Sequence, residues 1–228
     1  SAFELSNMLD KDKIENKELF NNRLVDLYQK SKYESDPRLR TYLALAMGKT
    51  EDIYFGEFLV EGVSEDTNIS NKIAAIQSIG MLKYKPGCSI LETTIKESSN
   101  DAEVLASIVS LGVIGNLSYK NILIDMLNYD EPNIRWDSAI ALAKMGDNSG
   151  ANIIEYLLRR SYYEKFPSKP DGSGLTIEEI DYSIYTAIKI SQLLSESRFK
   201  DELIYLSENE KNIKIREFAL KTLNGYYK

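Results

Sequence analysis

The sequence predicts an all-α protein: a right-handed superhelix of about five two-helix repeats, preceded by an N-terminal capping helix. One small or polar residue recurs at the same phase of a helical pattern at steps of 31 to 33 residues, with a single step of 48. An apolar pair follows each such helix at steps of 31 or 32, with a single step of 50 at the same place. Self-similarity at a fixed period of this size indicates a helical repeat array. The phase residues are Gly48, Gly80, Gly112, Ala143, Ser191 and Asn224, and the apolar pairs are Phe58-Leu59, Ile90-Leu91, Ile122-Leu123, Ile153-Ile154 and Leu203-Ile204.

The clearest copy of the repeat is Ile134–Asp147, IRWDSAIALAKMGD. Its small residues allow a second helix to approach closely, and Gly146 is suited to the left-handed turn that ends many helices. This segment resembles the first helix of a HEAT repeat of the short bacterial type, found in the PBS-lyase HEAT-like proteins. The resemblance covers about Leu39–Asn224. It implies a HEAT-like solenoid and transfers no active site.

Each repeat is expected to contain two helices separated by short turns. A helix at Glu15–Tyr28, with a short helix near Phe3–Leu9 before it, should cap the array, because solenoid ends need atypical units. A final helix at Ile213–Asn224 has no second helix after it. The helices predicted within the repeats are Arg38–Gly48 and Ile53–Val63, Ile69–Leu82 and Pro86–Glu97, Ala102–Ile114 and Tyr119–Tyr129, the stretch Ile134–Asp147 and Gly150–Arg160, and Ile177–Leu194 and Phe199–Ser207.

The predicted organisation is one solenoid domain over residues 1–228. The cap spans 1–35, repeats one to four span 36–160, an inserted loop spans 161–176, and repeat five with the terminal helix spans 177–228. The insertion contains two prolines and two glycines, which argue against a helix there. Because long loops are often functional, its aromatic residues Tyr162, Tyr163 and Phe166 are candidates for partner binding. The alternative is a tolerated insertion whose aromatic residues pack on the edge of the repeats.

The charge balance limits the class of partner. Lys and Arg total 28 against 35 Asp and Glu, which gives a net charge of −7 and argues against general nucleic-acid binding. Cys88 is the only cysteine, so we expect a small packing residue rather than a disulfide. No apolar stretch approaches the length of a membrane span. We expect a cytoplasmic protein; if an N-terminal signal preceded Ser1 and was removed, the protein would be periplasmic or anchored.

Three arginines, Arg40, Arg135 and Arg216, occupy the same repeat position. By resemblance, this basic residue ties its repeat to an acidic residue of the neighbouring one. Asp36 and Asp130 lie at turns from which they could supply that acid. The alternative interpretation is a basic ladder that binds phosphate or an acidic peptide.

Trp136 is the only tryptophan, and Asp137 follows it. HEAT-like alkylpurine DNA glycosylases use Trp and Asp on a concave face, and the bilin lyases of phycobiliprotein assembly share this repeat type. The glycosylases need a positive groove, whereas this chain is acidic, so we interpret Trp136 as a packing or convex-surface residue. The sequence has no paired nucleophile and base, no metal-spaced His and Cys, and no phosphate loop. We therefore predict no catalytic residue, no metal and no cofactor.

An acidic residue follows each of the first four apolar pairs within two positions. In HEAT-like solenoids the second helices line the concave face, where carboxylates about 10 Å apart would focus a negative potential. We predict a non-enzymatic scaffold that holds a basic partner protein or peptide along this face. The alternatives are an enzyme or ligation factor on the same scaffold, or an acidic surface that is merely solvated. The predicted partner-binding residues are Glu61, Glu92, Asp125, Glu155, Tyr162, Tyr163 and Phe166.

Overall fold

The structure, a computed structural model, describes residues 16–34, 36–166, 174–194 and 196–227. These residues form helices and turns without a β-strand, and the predicted all-α fold of successive helix pairs is confirmed. The helix predicted near Phe3–Leu9 and residues 167–173 of the insertion lie outside the described residues. The helices are α1 Lys17–Lys30, α2 Pro37–Lys49, α3 Gly56–Glu65, α4 Ile69–Met81, α5 Cys88–Glu97, α6 Asp101–Ile114, α7 Lys120–Met126, α8 Pro132–Lys144, α9 Ala151–Leu158, α10 Ile177–Leu194, α11 Arg198–Asn209 and α12 Ile213–Tyr226.

The first helices of the repeats (α2, α4, α6, α8, α10 and α12) mostly begin at a polar capping residue. Asp36, Asn68 and Asn100 lie 32 residues apart, and each side chain accepts a hydrogen bond from a backbone N–H two or three residues later. Asn212 caps α12 in the same way. Such caps satisfy backbone donors that have no partner inside the helix, so they determine where each first helix begins.

The second helices (α3, α5, α7, α9 and α11) begin later than the sequence predicted in the first three repeats. A 3-10 turn precedes α3, α5 and α7, at Ile53–Phe55, Lys85–Gly87 and Leu117–Tyr119. In the turns before α3 and α7, the side chains of Asp52 and Asn116 each accept a hydrogen bond from the backbone N–H two residues later. The local caps therefore favour a tight turn before the α-helix starts.

The chain divides into two compact units, Ser1–Leu123 and Ile124–Lys228. In the first unit, α2 packs against α4 and α4 against α6, while α3 and α5 pack against the first helix of the following repeat. Its core consists of apolar side chains from both kinds of helix, and solvent does not reach them. They include Leu43, Met47, Phe55, Leu59, Ile79, Leu91, Ile108 and Leu111.

The seam between first helices in this unit depends on glycine. A Cβ added to Gly48 would lie 2.7 Å from Ser78 Oγ, a distance that real Cβ atoms do not adopt. The Ser78 hydroxyl donates a hydrogen bond to the Ala44 carbonyl, 2.8 Å away on the preceding first helix. Ser110 repeats this arrangement one repeat later against Gly80. Gly48 and Gly80 thus mark positions where neighbouring first helices approach closely.

In the second unit, α8 packs against α9 and α10, and α12 packs against α10 and α11. Gly150, just before α9, faces Ala139 of α8 so closely that a Cβ would lie 2.6 Å from the Ala139 Cα. The buried side chains of this unit form one apolar cluster. The cluster includes Trp136, Ile154, Leu158, Tyr163, Ile188, Phe199 and Leu203.

The start of the insertion differs from the prediction, because Arg160–Lys165 forms a 3-10 helix. Arg160 forms an ion pair with the buried Glu210, 2.8 Å away, and another with Asp181. Repeat five carries Ser183 at the position that Arg40, Arg135 and Arg216 occupy, and Arg160 supplies a guanidinium to this part of the second unit. These contacts and the buried Tyr163 hold the segment against the repeats.

Candidate functional site

Arg40 forms a buried ion pair with Asp66 next to the cleft between α1 and α3. Its Nε lies 2.6 Å from the Asp66 carboxylate, and the exposed fractions of the two side chains are 6% and 9%. The guanidinium also donates to the Tyr28 carbonyl and lies 4.0 Å from the Tyr28 ring centroid. The prediction that Asp36 supplies the acid for Arg40 is wrong. Asp36 caps α2 and binds Arg38 at 2.8 Å, whereas Asp66 follows the end of α3 at the turn to the next repeat.

The other two arginines at this position bind backbone carbonyls. Arg135 donates to the Asp130 carbonyl at 2.8 Å, and Arg216 donates to the Glu210 carbonyl at 2.8 Å. Asp130 therefore contributes its backbone to this contact. Arg135 and Arg216 tie their first helices to the turns before them, and Arg40 ties α2 to α1 and to the turn after α3, so all three have a structural role.

A cleft of about 380 Å³ opens to solvent between α1 and α3, above Arg40. Two of its three carboxylates are paired, Asp26 with Lys30 at 2.7 Å and Glu65 with Lys32 at 2.8 Å. The third, the predicted site residue Glu61, is exposed and forms no ion pair within the part of the chain that the structure describes. We name it cleft 1 and define it by Tyr28, Tyr33, Arg40, Phe58, Glu61 and Glu65.

A second cleft, of about 550 Å³, opens between α3 and α5. The buried Glu103 carboxylate accepts a hydrogen bond from Ser98 at 2.8 Å and lies 3.7 Å from Lys72 Nζ. Glu97 is exposed at the rim, and no other described residue forms an ion pair with it. We name it cleft 2 and define it by Lys72, Ile90, Thr93, Glu97 and Glu103.

Glu92, the second predicted acidic residue of the first unit, is not part of cleft 2. It lies on α5 and binds Lys96 one turn later, at 2.6 Å. Glu61 lies two positions after its apolar pair and Glu92 only one, so the two carboxylates occupy different sides of their helices. The sequence analysis missed Glu97, although its position 32 residues after Glu65 was a visible signal.

The two predicted acidic residues of the second unit differ in their surroundings. Asp125 is exposed on α7. Glu155 on α9 binds Arg159 at 2.6 Å, and Arg159 also binds Glu202 on α11 at 2.6 Å. The charge of Glu155 is therefore compensated locally.

Tyr163 lies in the core of the second unit with 1% of its surface exposed. Its hydroxyl donates to the Leu157 carbonyl at 2.9 Å, and burial raises its pKa. Its ring also packs edge-on against Trp136. A partner cannot reach this side chain in the folded unit, so its contribution is to packing.

Tyr162 and Phe166 are partly exposed and adjoin a third aromatic residue that the sequence analysis did not select. Tyr156 on α9 is 46% exposed and stacks on Tyr162, with the ring centroids 5.7 Å apart. Phe166 packs edge-on against Trp136, and the Trp136 indole N–H donates to the Tyr162 hydroxyl at 3.3 Å. Trp136 is itself only 7% exposed, which is consistent with a packing residue. Tyr156, Tyr162 and Phe166 form the aromatic surface of the second unit.

Asp137 and Cys88 lie outside the clefts and carry an ionisable carboxyl and a thiol. Asp137 is half-buried, and burial raises the pKa of its carboxyl although Lys144 opposes the shift. Cys88 is fully buried, and its pKa is raised mainly by burial, so the thiol lies in the core as a packing residue.

Across 16–34, 36–166, 174–194 and 196–227, no group of three or more His, Cys, Asp or Glu side chains is arranged to hold a metal ion. None of the helices in those ranges is both long and apolar enough to cross a membrane.

Comparison with known proteins supports the fold. No protein-family model matches this chain, and no curated protein matches it by sequence. The structure is similar to phycocyanin lyase from Nostoc sp. PCC7120, solved as the complex of CpcE and CpcF. The TM-score is 0.57 at 16% identity, over 89% of this chain and 73% of that chain. Human deoxyhypusine hydroxylase in complex with glycerol matches at 15% identity over 99% and 77%, with a TM-score of 0.42 that is too low to support an argument.

These comparisons require one correction. The sequence analysis predicted that the protein is not an enzyme, because the repeat fold and the missing motifs favoured a scaffold. Phycocyanin lyase, which shares this fold at a TM-score of 0.57, is an enzyme. The prediction of a non-enzymatic protein is therefore wrong as an inference from the fold, because a HEAT-like solenoid also carries enzymatic activity.

Proposed function

We propose that this protein binds another protein through the solvent-facing sides of its second helices. The observation that carries the proposal is a pair of open clefts in the first unit, each bordered by an exposed carboxylate without an ion pair among the described residues. These carboxylates are Glu61 and Glu97. Support also comes from the similar Nostoc structure, in which CpcE is in complex with another protein, CpcF.

The chemistry favours a partner with a basic segment. The chain carries a net charge of −7, and complementary charge accelerates encounter and fixes the orientation of docking. Glu92 and Glu155 are already paired, so they contribute less to this attraction than Glu61 and Asp125. In the second unit the aromatic surface offers Tyr156 and partly exposed rings, which are residue types that often anchor protein interfaces.

Affinity capture with two variants tests the proposal. Native protein, Glu61→Lys/Glu97→Lys and the control Glu208→Lys are used as baits, and bound proteins are quantified by mass spectrometry. Glu208 is exposed on α11 and lines neither cleft. We expect a basic partner that the native and control baits retain and the double variant loses. Equal recovery on all three baits would refute docking at the second helices of the first unit.

The second candidate function is catalysis on the bound protein, and Asp137 is the observation that favours it. Burial raises the pKa of the Asp137 carboxyl, and a shift in this direction favours a carboxyl that transfers protons. The test is the mass of the captured partner after incubation with native protein or Asp137→Asn. A mass change that only native protein produces would support catalysis, and an unchanged mass with both would exclude it for this partner.

A further inference from the structure

Cleft 2 differs from cleft 1 in how its basic residue is paired. In cleft 1, Arg40 Nε lies 2.6 Å from the Asp66 carboxylate, and the two side chains are only 6% and 9% exposed. The residues 32 positions later, at the repeat step of the sequence, are Lys72 and Ser98. Because Ser98 is uncharged, the closed ion pair next to cleft 1 has no copy in cleft 2.

Lys72 pairs instead with a residue of the following first helix. Its Nζ lies 3.7 Å from the carboxylate of Glu103 on α6, which is an ion pair but too long for a hydrogen bond. An ammonium carries three N–H donors, and Lys72 donates none of them to another residue in the part of the chain that the structure describes. The side chain is 28% exposed and lines the cleft, so these donors are accessible to a ligand.

The Glu103 carboxylate provides an acceptor beside these donors. Glu103 lines the cleft and is only 6% exposed. Its Oε2 atom accepts a hydrogen bond from Ser98 at 2.8 Å and is the atom paired with Lys72. Its Oε1 atom accepts no hydrogen bond from any other described residue. Polar groups of buried residues are seldom left without a partner, so this carboxylate favours a ligand that donates a hydrogen bond.

A neutral group with an acceptor and a donor side by side matches this pair. Lys72 and Glu103 already compensate each other, so a charge added between them would be desolvated without a counter-ion of its own. An anion would also be repelled by Glu97, which is exposed at the rim. A primary carboxamide has a carbonyl acceptor and N–H donors on one carbon, so it can accept from Lys72 and donate to Glu103.

Apolar side chains also line cleft 2 and suit the methylene groups that carry such a carboxamide. Val63 of α3 is buried, Ile90 of α5 is half-buried, and Ile69 at the start of α4 is 46% exposed. The volume of about 550 Å³ lies within the range of about 300–1,000 Å³ that is typical of ligand sites. The cleft is therefore large enough for a side chain and the backbone around it.

We propose that cleft 2 binds the carboxamide of an asparagine or glutamine side chain between the Lys72 ammonium and the Glu103 carboxylate. The inference rests on the proposed protein-binding function, because it names the side chain that the partner presents at this cleft. A basic residue next to that side chain in the partner would meet Glu97 at the rim.

NMR titration of the isotope-labelled full chain tests this inference with three capped amino acids. N-acetyl-glutamine N-methylamide carries the carboxamide, and the matching glutamate and methionine derivatives have side chains of similar length and the same backbone amides. Shifts of the backbone N–H signals of Lys72, Ser99 and Glu103 report binding in cleft 2. We expect the glutamine probe to bind at least about threefold more tightly than the other two, as the net contribution of added hydrogen bonds predicts.

Lys72→Arg is the decisive variant because it keeps the charge. An arginine fork should bind the Glu103 carboxylate closely, as Arg40 binds Asp66, and so remove the donors from the ligand. The glutamine probe should then bind at least about threefold more weakly, while urea unfolding shows that the fold is retained. Lys96→Arg is the matched control on α5; Lys96 does not line the cleft, so the affinity should be unchanged.

Three results would overturn the inference: no shift of the cleft signals, equal affinity for all three probes, or tightest binding of the glutamate probe. An unchanged affinity of Lys72→Arg would overturn it as well. Affinity capture tests the proposed function separately. If native protein captures a partner that Glu61→Lys/Glu97→Lys loses while the glutamine probe fails, only the carboxamide site is wrong. If the glutamine probe binds in cleft 2 but no partner is captured, the carboxamide site stands and the proposed function fails.

Discussion

Gly48 lies against Ser78 so closely that a single added carbon would occupy the space of the serine hydroxyl, 2.7 Å away. The Ser78 hydroxyl donates to the Ala44 carbonyl across the same seam. The contact joins the first helices of repeats one and two and recurs between Gly80 and Ser110. The phase residue must be small at these two positions, because a larger side chain would collide with the neighbouring first helix.

The Gly48→Ala substitution should reduce the free energy of unfolding by about 1–3 kcal/mol, because the new methyl group overpacks the seam. Gly225→Ala is the matched control, since Gly225 lies in α12 and a Cβ there meets no atom within 4 Å. The control should leave stability unchanged or raise it by up to about 1 kcal/mol, because Ala favours a helix over Gly. Urea unfolding measures both, and equal stabilities for the two variants would contradict the proposed seam.

The Arg40→Met substitution should reduce the free energy of unfolding by about 3–5 kcal/mol. It leaves the Asp66 carboxylate buried without its cation, and such unpaired buried charges are costly. Arg38→Gln is the control: its pair with Asp36 is exposed, so the substitution should leave stability nearly unchanged. If both substitutions cost the same, the buried pair does not stabilise the first unit as described.

Periodicity alone predicted most of the fold, whereas the partners of individual side chains were not predictable. The period placed the helices because each repeat contributes one buried stripe from each helix, and α10 has the predicted bounds, Ile177–Leu194. It did not predict that Arg40 binds Asp66, since the choice among nearby carboxylates depends on the path of the turns. Tyr163 shows the same limit, because composition alone cannot distinguish an exposed aromatic residue of a loop from a buried one.

Fewer of the predicted acidic residues are unpaired than the sequence pattern indicated. Glu92 and Glu155 were selected for their position after an apolar pair, but each binds a basic residue one helical turn later. The i to i+4 spacing to Lys96 and Arg159 was visible in the sequence and predicts such pairs. Glu97 was overlooked because it does not follow an apolar pair directly.

The Tyr163→Ala substitution should reduce the free energy of unfolding by about 3–5 kcal/mol, because it opens a cavity in the core of the second unit. Tyr156→Ala removes a ring that is 46% exposed and should cost much less. If the aromatic surface binds a partner, Tyr156→Ala should instead weaken partner binding. Thermal unfolding and pull-down of each variant separate these effects, and a large loss of stability for Tyr156→Ala would exclude that assignment.

The Asp137→Asn substitution should raise the stability of the protein at about pH 7. A raised pKa in the folded state means that the protonated carboxyl is favoured there, so this contribution is complete below the ordinary value of 3.8 and is lost as pH rises through the folded pKa. Asn resembles the protonated form, so its advantage over Asp should be present at about pH 7 and absent near pH 3. Melting temperatures of both proteins across this pH range provide the test. A higher stability of Asp137→Asn that persists near pH 3 would contradict a raised pKa for the Asp137 carboxyl in the folded state.

We propose that a basic partner docks on the second helices. The rate at which the captured partner associates with this protein tests that proposal most directly. Stopped-flow measurements compare the captured partner binding to native protein, Glu61→Lys/Glu97→Lys and Glu208→Lys at low and high salt. Exposed charges are screened over about 8–10 Å near physiological ionic strength, so the native rate should fall as salt rises. The double variant should associate more slowly at low salt and converge with native protein at high salt, while the control should behave as native. An association rate that is insensitive to both salt and the double substitution would contradict docking at this surface.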